Sequence, residues 1–217
     1  MEFLHLYVSV PLAGFRVAQA REYWETYPCP PPSTLYGMLL SLVGEADRFV
    51  HKGAELSMAL VSVPQSSIVL RTQWRIKDKA VGPGLGNNKR PDFQELLSDI
   101  RLAVWLRPGT EEKARPTLFA RVKNAMERPQ EVSRFGGLSL GESTHLVNEV
   151  RKWRQEDPSV GQILMPNNQG NLSLPIWPDH VGSRGTKWGQ FRLKESLIEA
   201  QPDEQTWISV KPPEISE

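Results

Sequence analysis

The sequence has little that could cross-link a fold or hold a metal ion. Cys29 is the only cysteine among 217 residues, so no disulfide can form within the chain. The histidines are scattered, and no H-E-x-x-H, C-x-x-C or calcium-loop motif occurs. We therefore expect neither a metal site nor a cofactor.

A long apolar run is missing as well. No segment approaches the roughly 18 to 20 uncharged apolar residues that a membrane-spanning helix needs. The first ten residues include Glu2 and His5, where a secretory signal would have a basic start and an unbroken apolar stretch. Because 24% of the residues are charged and 39% are hydrophobic, the composition is that of an ordinary globular protein. These observations predict a cytoplasmic protein without membrane contact.

The motifs of nucleophilic catalysis and of nucleotide binding are absent too. There is no G-x-S-x-G elbow, and Cys29 lies between Pro28 and Pro30. Residues 82–86 are rich in glycine but lack the spacing of phosphate-binding loops. A metal-independent ribonuclease would need only a base, an acid and cations around the phosphate. Each histidine is isolated, so we expect no catalytic residues; the candidates for that alternative are His5, Tyr36, His51 and His145 with Lys79 or Lys89.

Positive charge is concentrated in the middle third of a chain whose net charge is only +1. Residues 71–134 hold 14 basic and 8 acidic side chains, whereas both flanking segments are slightly acidic. Within residues 71–90, six basic side chains accompany one acid, Asp78. This density is typical of a contact with a polyanion, although a solvated basic hairpin would have the same composition.

The first 45 residues predict a strand and then a helix. Residues 3–10 alternate between apolar and polar as a strand does, and a proline run at 30–32 precedes an apolar pattern of helical period. Ser33 is the expected N-cap, and the helix is expected to end near Gly44. Gly37 lies inside this helix, which indicates that another backbone or a phosphate comes close; we favour crowding against the sheet.

The next segment predicts a basic strand face and a long excursion. A buried strand is expected over residues 56–63, and a second strand runs through residues 67–77. Alternation places Trp74 on the core side of that strand and puts Arg71, Arg75 and Lys77 in a row on the other side. The following residues are rich in glycine, asparagine and proline, so they predict a long protruding loop. Compact domains rarely keep such a loop without a use.

The remaining pattern predicts a short helix at 92–97, a strand at 100–107 and a helix over 110–128. The order strand, helix, strand, strand, helix, strand over about residues 2–150 is the split βαβ of ferredoxin-like (RRM-like) domains. We therefore predict an α+β fold. Weak strand signals occur in the last third, at residues 163–165, 172–177, 187–193 and 206–210.

Three segments in order resemble a known family. They are VPLAGFR at 10–16, PPPSTLYGML at 30–39 and GLSLGES at 137–143, and RPDFQELL at 90–97 resembles a further stretch. Together they are similar to the Cas-five family of CRISPR-associated RAMP proteins, most closely its DevS-like branch. The resemblance spans about residues 1–155, and the last sixty residues resemble nothing known to us.

This resemblance implies a subunit of a type I CRISPR Cascade effector that binds the 5′ handle of the guide RNA. It implies a ferredoxin-like RAMP domain over residues 1–155, with a thumb insertion at about 77–98 that packs on the Cascade backbone subunit. A β-rich C-terminal extension at 156–217 would pack on that domain. The protein would cap the filament beside the large subunit that reads the PAM, near target DNA. Many relatives have arginine where this chain has Glu142.

The charge pattern and the resemblance lead to one RNA-binding hypothesis. Arg16, Arg71 and Arg75 would hold handle phosphates, and Trp74 or Tyr36 would be available to stack on a base. One branch of the family cleaves the guide precursor, but no adjacent Lys-His pair occurs here, so binding without catalysis is favoured. A scaffold or a small RNA-binding regulator remains an alternative. The predicted RNA-binding residues are Arg16, Ser33, Tyr36, Arg71, Arg75, Lys77, Lys79, Lys89, Arg90, Gly137, Gly141 and Ser143.

Overall fold

A computed structural model describes residues 2–20, 22–179, 181 and 184–214. The chain is α+β, as predicted, and the sheet is mostly antiparallel. Over the described residues the elements are β1 (Leu4–Ala13), β2 (Tyr23–Trp24), α1 (Pro32–Leu42), β3 (Glu55–Leu60), β4 (Gln65–Trp74), β5 (Lys89–Arg107), α2 (Leu118–Glu127), β6 (Glu149–Lys152), β7 (Val160–Pro166), β8 (Leu172–Trp177), β9 (Lys187–Leu197) and β10 (Ile208–Ser209).

The sheet runs in the order β6-β1-β5-β3-β7-β9-β8, and each neighbouring pair is antiparallel. Both helices pack on one face of this sheet, where alternate residues of the central strands form the main core with them. The opposite face carries a smaller cluster around Tyr7 and Trp105. The strands of residues 156–214 continue the same sheet, because β7 pairs with β3.

The 19-residue strand β5 belongs to two regions of the molecule. Its second half pairs with β1 and β3, and residues 102–106 are almost completely buried. Its first half pairs with β4 and, in parallel, with the short strand β2. Asp99, at the junction, has a φ of 57°, a left-handed conformation that is uncommon for a non-glycine residue. We call residues 65–98 the arm and the rest of the described chain the body.

The arm differs from the sequence prediction in three respects. The strand predicted over residues 67–77 is β4 and ends at Trp74, so Arg75 and Lys77 lie beyond the strand that was expected to carry them in a row with Arg71. Residues 92–97 continue β5 and are not a helix, because they pair with both β4 and β2. Trp74 does not face a core: its side chain is 72% exposed. Trp74 and Arg71 do lie on opposite sides of β4, as the alternation predicted. However, no layer of the described body covers the side on which Trp74 lies.

The helices keep their predicted apolar stripes, while their ends differ. Pro31 is the N-cap of α1 instead of Ser33, whose hydroxyl donates to the carbonyl of Pro175 at 2.8 Å. The second helix starts only after Thr117, whose side chain accepts from the amide of Ala120. Among the described residues, no helix combines the length and the apolarity that crossing a membrane requires.

Gly37 is not crowded. A Cβ built on it would meet no atom within 4 Å, so the predicted crowding against the sheet is wrong. A glycine inside a helix costs about 1 kcal/mol relative to alanine, and packing within the described chain gives no reason for it. Gly44 is different, because its φ is +69° and a Cβ there would lie 2.0 Å from the carbonyl oxygen of Ser133.

Candidate nucleic-acid interface

The tip of the arm is held together by one buried side chain, Asn88. Its amide oxygen accepts from the backbone amides of Lys77 and Asp78, at 2.7 and 2.8 Å. Its amide nitrogen donates to the carbonyls of Asp78 and Val81, at 2.7 and 2.6 Å. Because both ends of this side chain bind backbone across the loop, the glycine-rich excursion has a defined conformation.

This loop displays most of the predicted cations. Arg75, Lys77, Lys79 and Lys89 are exposed, and none forms an ion pair with another described residue. The guanidinium of Arg75 makes only a 3.3 Å hydrogen bond, from its Nε to the carbonyl of Asn87. The tip therefore presents four cations whose charge is opposed in its own sequence by one carboxylate, Asp78.

The two sides of the arm have different chemistry. Residues paired across an antiparallel ladder share a side, so Leu70 lies beside Phe93 and Trp74 beside Lys89. Ile68 lies on the same side. This side of the arm is largely apolar and exposed: Ile68, Leu70 and Phe93 are accessible over 59%, 61% and 49% of their surface. The other side carries the pairs Arg71↔Asp92 and Gln73↔Arg90.

At the base of the arm, a tryptophan missed by the sequence analysis brings two predicted arginines together. The guanidinium carbon of Arg16 lies 4.2 Å from the ring centroid of Trp24, and that of Arg71 lies 5.4 Å from it. Trp24 is in β2, whose pairing with β5 places it beside Gln94. Arg16 also donates to the carbonyl of Ala20 at 2.8 Å.

Arg71 is not a free cation. Its Nη1 lies 3.1 Å from the carboxylate of Glu142 and also donates to Gln94. Gln94 in turn donates to the same carboxylate at 2.7 Å. Arg90 is similarly engaged, at 2.7 Å from the carboxylate of Asp92. The predicted cations thus fall into two groups. Arg71 and Arg90 form ion pairs within the chain, whereas Arg75, Lys77, Lys79 and Lys89 form none with any described residue.

The glycine-rich turn is fixed to the β1–β2 loop by His145. Its Nδ1 accepts from the amide of Gly14 at 3.3 Å and from the amide of Glu142 at 3.1 Å. Burial lowers the pKa of His145, which keeps this nitrogen available as an acceptor. The turn therefore places the Glu142 carboxylate beside Arg71. Of the predicted turn residues, Gly137, Gly141 and Ser143 are exposed, and Gly141 has a φ of +102°.

Ser33 and Tyr36 lie apart from the arm, on α1. The Tyr36 ring is 3% exposed and packs against Trp177, with a centroid distance of 6.1 Å. Its hydroxyl donates to the carbonyl of Arg48 at 2.8 Å, and burial raises its pKa. Tyr36 cannot stack on a base in this conformation, because its ring is already covered. Ser33, Tyr36 and Gly141 line one cavity of about 310 Å³.

The histidines considered as catalytic residues of a ribonuclease are engaged in contacts within the fold. His5 is stacked between Trp105 and Trp153, at centroid distances of 4.5 and 4.4 Å, and burial lowers its pKa to about 4. The Nδ1 of His51 lies 2.8 Å from the buried carboxylate of Glu112. His180 lies outside the described residues. Within the described part of the chain, no group of three potential metal ligands occurs.

Two kinds of residue at this interface escaped the sequence analysis. Trp24 and Gln94 are far apart in sequence and meet Arg71 only through strand pairing. Asn88 lay in a segment without periodicity, where its burial could not be inferred. The local signals were limited to the position of Trp24, four residues before Pro28, and that of Asn88, next to Lys89.

No family model matches the chain. It is 45% identical over 201 residues, 92% of its length, to a Myxococcus xanthus (strain DK1622) protein named "CRISPR-associated protein Cas5", 93% of which is covered. A solved structure described as "CRISPR RNA-guided surveillance complex" superposes with a TM-score of 0.63 at 14% identity, covering 94% of this chain and 96% of that one. Another, described as "Crystal structure of Cas protein", gives a TM-score of 0.50 at 13% identity, with 90% and 94% covered. The resemblance in the sequence and the identity to the curated relative agree, and the chain belongs to the Cas5 family of CRISPR-associated proteins.

Proposed function

We propose that this protein is a non-catalytic subunit of a type I CRISPR Cascade complex that binds the 5′ handle of the guide RNA. It would cap the backbone filament beside the large PAM-reading subunit and so support recognition of target DNA. Membership of the Cas5 family supports this role, as does the fold shared with a structure described as an RNA-guided surveillance complex. We further propose a cytoplasmic location, as the sequence predicts.

The observation that carries the RNA-binding proposal is the group of cations at the tip of the arm, which form no ion pair with the described part of the chain. Arg75, Lys77, Lys79 and Lys89 extend from a loop whose backbone is fixed by Asn88, so the backbone needs little ordering before these side chains meet phosphates. At the base, Arg16 and Arg71 lie over Trp24 and would extend the same path. Phosphate contacts of this kind supply most of the affinity for RNA without reading its sequence.

The arm is proposed to be the thumb, and residues 1–155 the ferredoxin-like RAMP domain. The strand order β6-β1-β5-β3, with α1 after β1 and α2 after β5, supports that domain. The arm is longer than the thumb expected at 77–98, because β4 belongs to it. Its apolar side supports packing on the backbone subunit, since exposed clusters of large apolar side chains mark protein interfaces.

The absence of catalysis is proposed from the surroundings of the candidate residues. A general base needs a reachable lone pair near the substrate. The ring of His5 lies between two indoles, that of His51 is 1% exposed, and the Nδ1 of His145 accepts two backbone amides. Burial raises the pKa of Cys29 to about 12, so its thiol stays protonated.

The test measures affinity for the RNA that copurifies with the complex at several salt concentrations. Each phosphate contact that is lost lowers the salt slope by about 1. We expect Arg75→Ala and Lys77→Ala each to reduce the slope, and Arg71→Ala to reduce it less because Glu142 already engages that side chain. The control is Arg192→Ala in β9, an exposed cation without an ion pair to any described residue. Unchanged slopes for the tip variants would remove the arm from the RNA contact.

A second experiment separates this role from that of an endoribonuclease. The purified protein is incubated with a repeat RNA hairpin in the presence of EDTA. We expect intact RNA, whereas cleavage at one position would establish the alternative. Mass spectrometry of the proteins that copurify distinguishes a Cascade subunit from a free regulator, which would be recovered alone.

A further inference from the structure

A groove runs along the exposed side of α1. Two cavities, of about 310 and 380 Å³, share four lining residues: Gly37, Leu40, Ser41 and Arg48. The first opens beside the glycine-rich turn at Ser139 and Gly141. The second ends at Arg134 and Phe135. We call the joined cavities the α1 groove.

Gly37 lies in the floor of the α1 groove, where the two cavities meet. No described atom within 4 Å of its missing Cβ requires glycine there, and the residue is exposed. Other glycines are explained by their neighbours: at Gly109, for example, a Cβ would lie 1.7 Å from the carbonyl oxygen of Gly53. A helical glycine with open space above it indicates that something outside the chain approaches the helix backbone closely.

The side chains around the second cavity suit an anionic ligand that carries an aromatic ring. Arg48 is held in place over Trp177, with 4.8 Å between its guanidinium carbon and the ring centroid, and donates to the carbonyl of Pro178 at 2.5 Å. Arg134 is exposed and has no ion pair with another described residue. The carboxylate of Glu45, which also lines this cavity, is bound by Arg121 at 2.6 Å and is thereby neutralised.

Phe135 supplies the aromatic surface. It is fully exposed, at 102% of its reference area, and its ring therefore packs against nothing in the described chain. Two cations, an open phenyl ring and the hydroxyl of Ser41 along one groove match phosphate, base and ribose. Each cavity has the volume at the lower end of ligand pockets, which suits one nucleotide better than a folded peptide segment.

We propose that the α1 groove binds one unpaired nucleotide of RNA, with its sugar and phosphate passing over Gly37, its phosphate held by Arg48 and Arg134, and its base stacked on Phe135. This proposal rests on the proposed function, because the nucleotide would belong to the RNA that the arm also contacts. Stacking on an aromatic side chain tolerates any base, so the site would add affinity without reading sequence. It assigns a role to a helical glycine that the fold itself does not need.

The test uses the copurifying RNA as a single strand, with 4-thiouridine placed at each position in turn. We expect Phe135→Ala to weaken binding about five- to ten-fold, because one stacking contact is lost. Gly37→Met, which fills the floor of the α1 groove, should weaken it at least as much. Since methionine favours helices and the site is open, this variant should not unfold more easily than the wild type. Photocrosslinks should map to residues 133–139.

Two results would overturn the inference and leave the arm's role intact. One is wild-type affinity in both Phe135→Ala and Gly37→Met while Arg75→Ala still weakens binding. The other is crosslinking confined to the arm. If the wild type binds no single-stranded RNA, the proposed function itself is wrong, and the inference that rests on it is wrong as well. Phe135→Ala decides the case if Gly37→Met fails to fold, because its side chain has no packing to lose, and Arg192→Ala again controls for general loss of charge.

Discussion

The two halves of β5 show how one strand can serve two purposes. In the body, residues 102–106 lie between β1 and β3 and are almost inaccessible to solvent. In the arm, Phe93 lies between β2 and β4 but remains half-exposed. Residues 102–106 pair with both β1 and β3 at every position, whereas in the arm only β4 pairs along the whole half and β2 pairs at Phe93 and Gln94 alone. The body half also has a covering layer, which separates a part that supplies stability from a part that meets partners.

The largest expected effect comes from truncating one leucine in the body, compared with truncating one in the arm. Leu102→Ala should lower the free energy of unfolding by about 2 to 5 kcal/mol, because it leaves a cavity in a close-packed core. Leu70→Ala, at a site 61% exposed, should change it by less than about 0.5 kcal/mol. Urea unfolding followed by circular dichroism measures both. Equal losses would mean that the arm is part of the same core.

The arm variant also tests the proposed interface. Leu70→Ala should reduce copurification of the backbone subunit while leaving the protein folded, because only the exposed apolar side of the arm is changed. Leu102→Ala protein that remains folded should still copurify with it. A Leu70→Ala variant that assembles as well as the wild type would show that this side of the arm is not the contact.

A smaller effect is expected from acid, and it should be confined to the body. The pKa of His5 falls from 6.5 to about 4 because its ring is buried between Trp105 and Trp153. Between these pH values the unfolded chain binds a proton that the folded chain does not, so stability is full above about pH 6.5 and falls as the pH drops towards 4. After allowance for solvent around the partly exposed ring, the loss attributable to His5 is roughly 1 to 2 kcal/mol.

His5→Phe isolates this contribution. Phenylalanine keeps the stacking and removes the Nε2 of His5, which is buried without a hydrogen-bond partner. Urea unfolding at pH 7 and pH 5 should therefore show a smaller loss in the variant than in the wild type. Identical pH dependence in the two proteins would assign the acid sensitivity to other groups.

The smallest effect is expected at the junction of arm and body, where Glu142 engages Arg71. Glu142→Gln removes the competing charge, so Arg71 becomes available to a phosphate. Exposed ion pairs contribute up to about 1 kcal/mol, which corresponds to RNA affinity raised by at most about five-fold. The matched control is Glu149→Gln, which weakens a comparable surface pair with Arg151 in β6. Lower affinity in Glu142→Gln would show that this carboxylate supports the RNA contact.

Sequence reasoning reached the parts of the fold that depend on local patterns. The range of β8 was predicted as observed, and the apolar stripe of α1 is the buried one. The extension of β5 through residues 92–97 was missed, because those residues become a strand only by pairing with β4 and β2. Of the predicted site, Arg16 and Arg71 do come together, but through Trp24, which no local pattern connects to either.

By itself, the sequence determined which residues alternate, which residues form the apolar stripes of α1 and α2, and where positive charge accumulates, because these follow from side-chain period and composition within a few residues. Only the tertiary structure decided that Trp74 faces solvent, that Glu142 forms an ion pair with Arg71 while Arg75 has none with any described residue, and that no described atom crowds Gly37. Periodicity separates the two sides of a strand or helix. Which side is covered depends on segments that are distant in the chain and meet only when it folds.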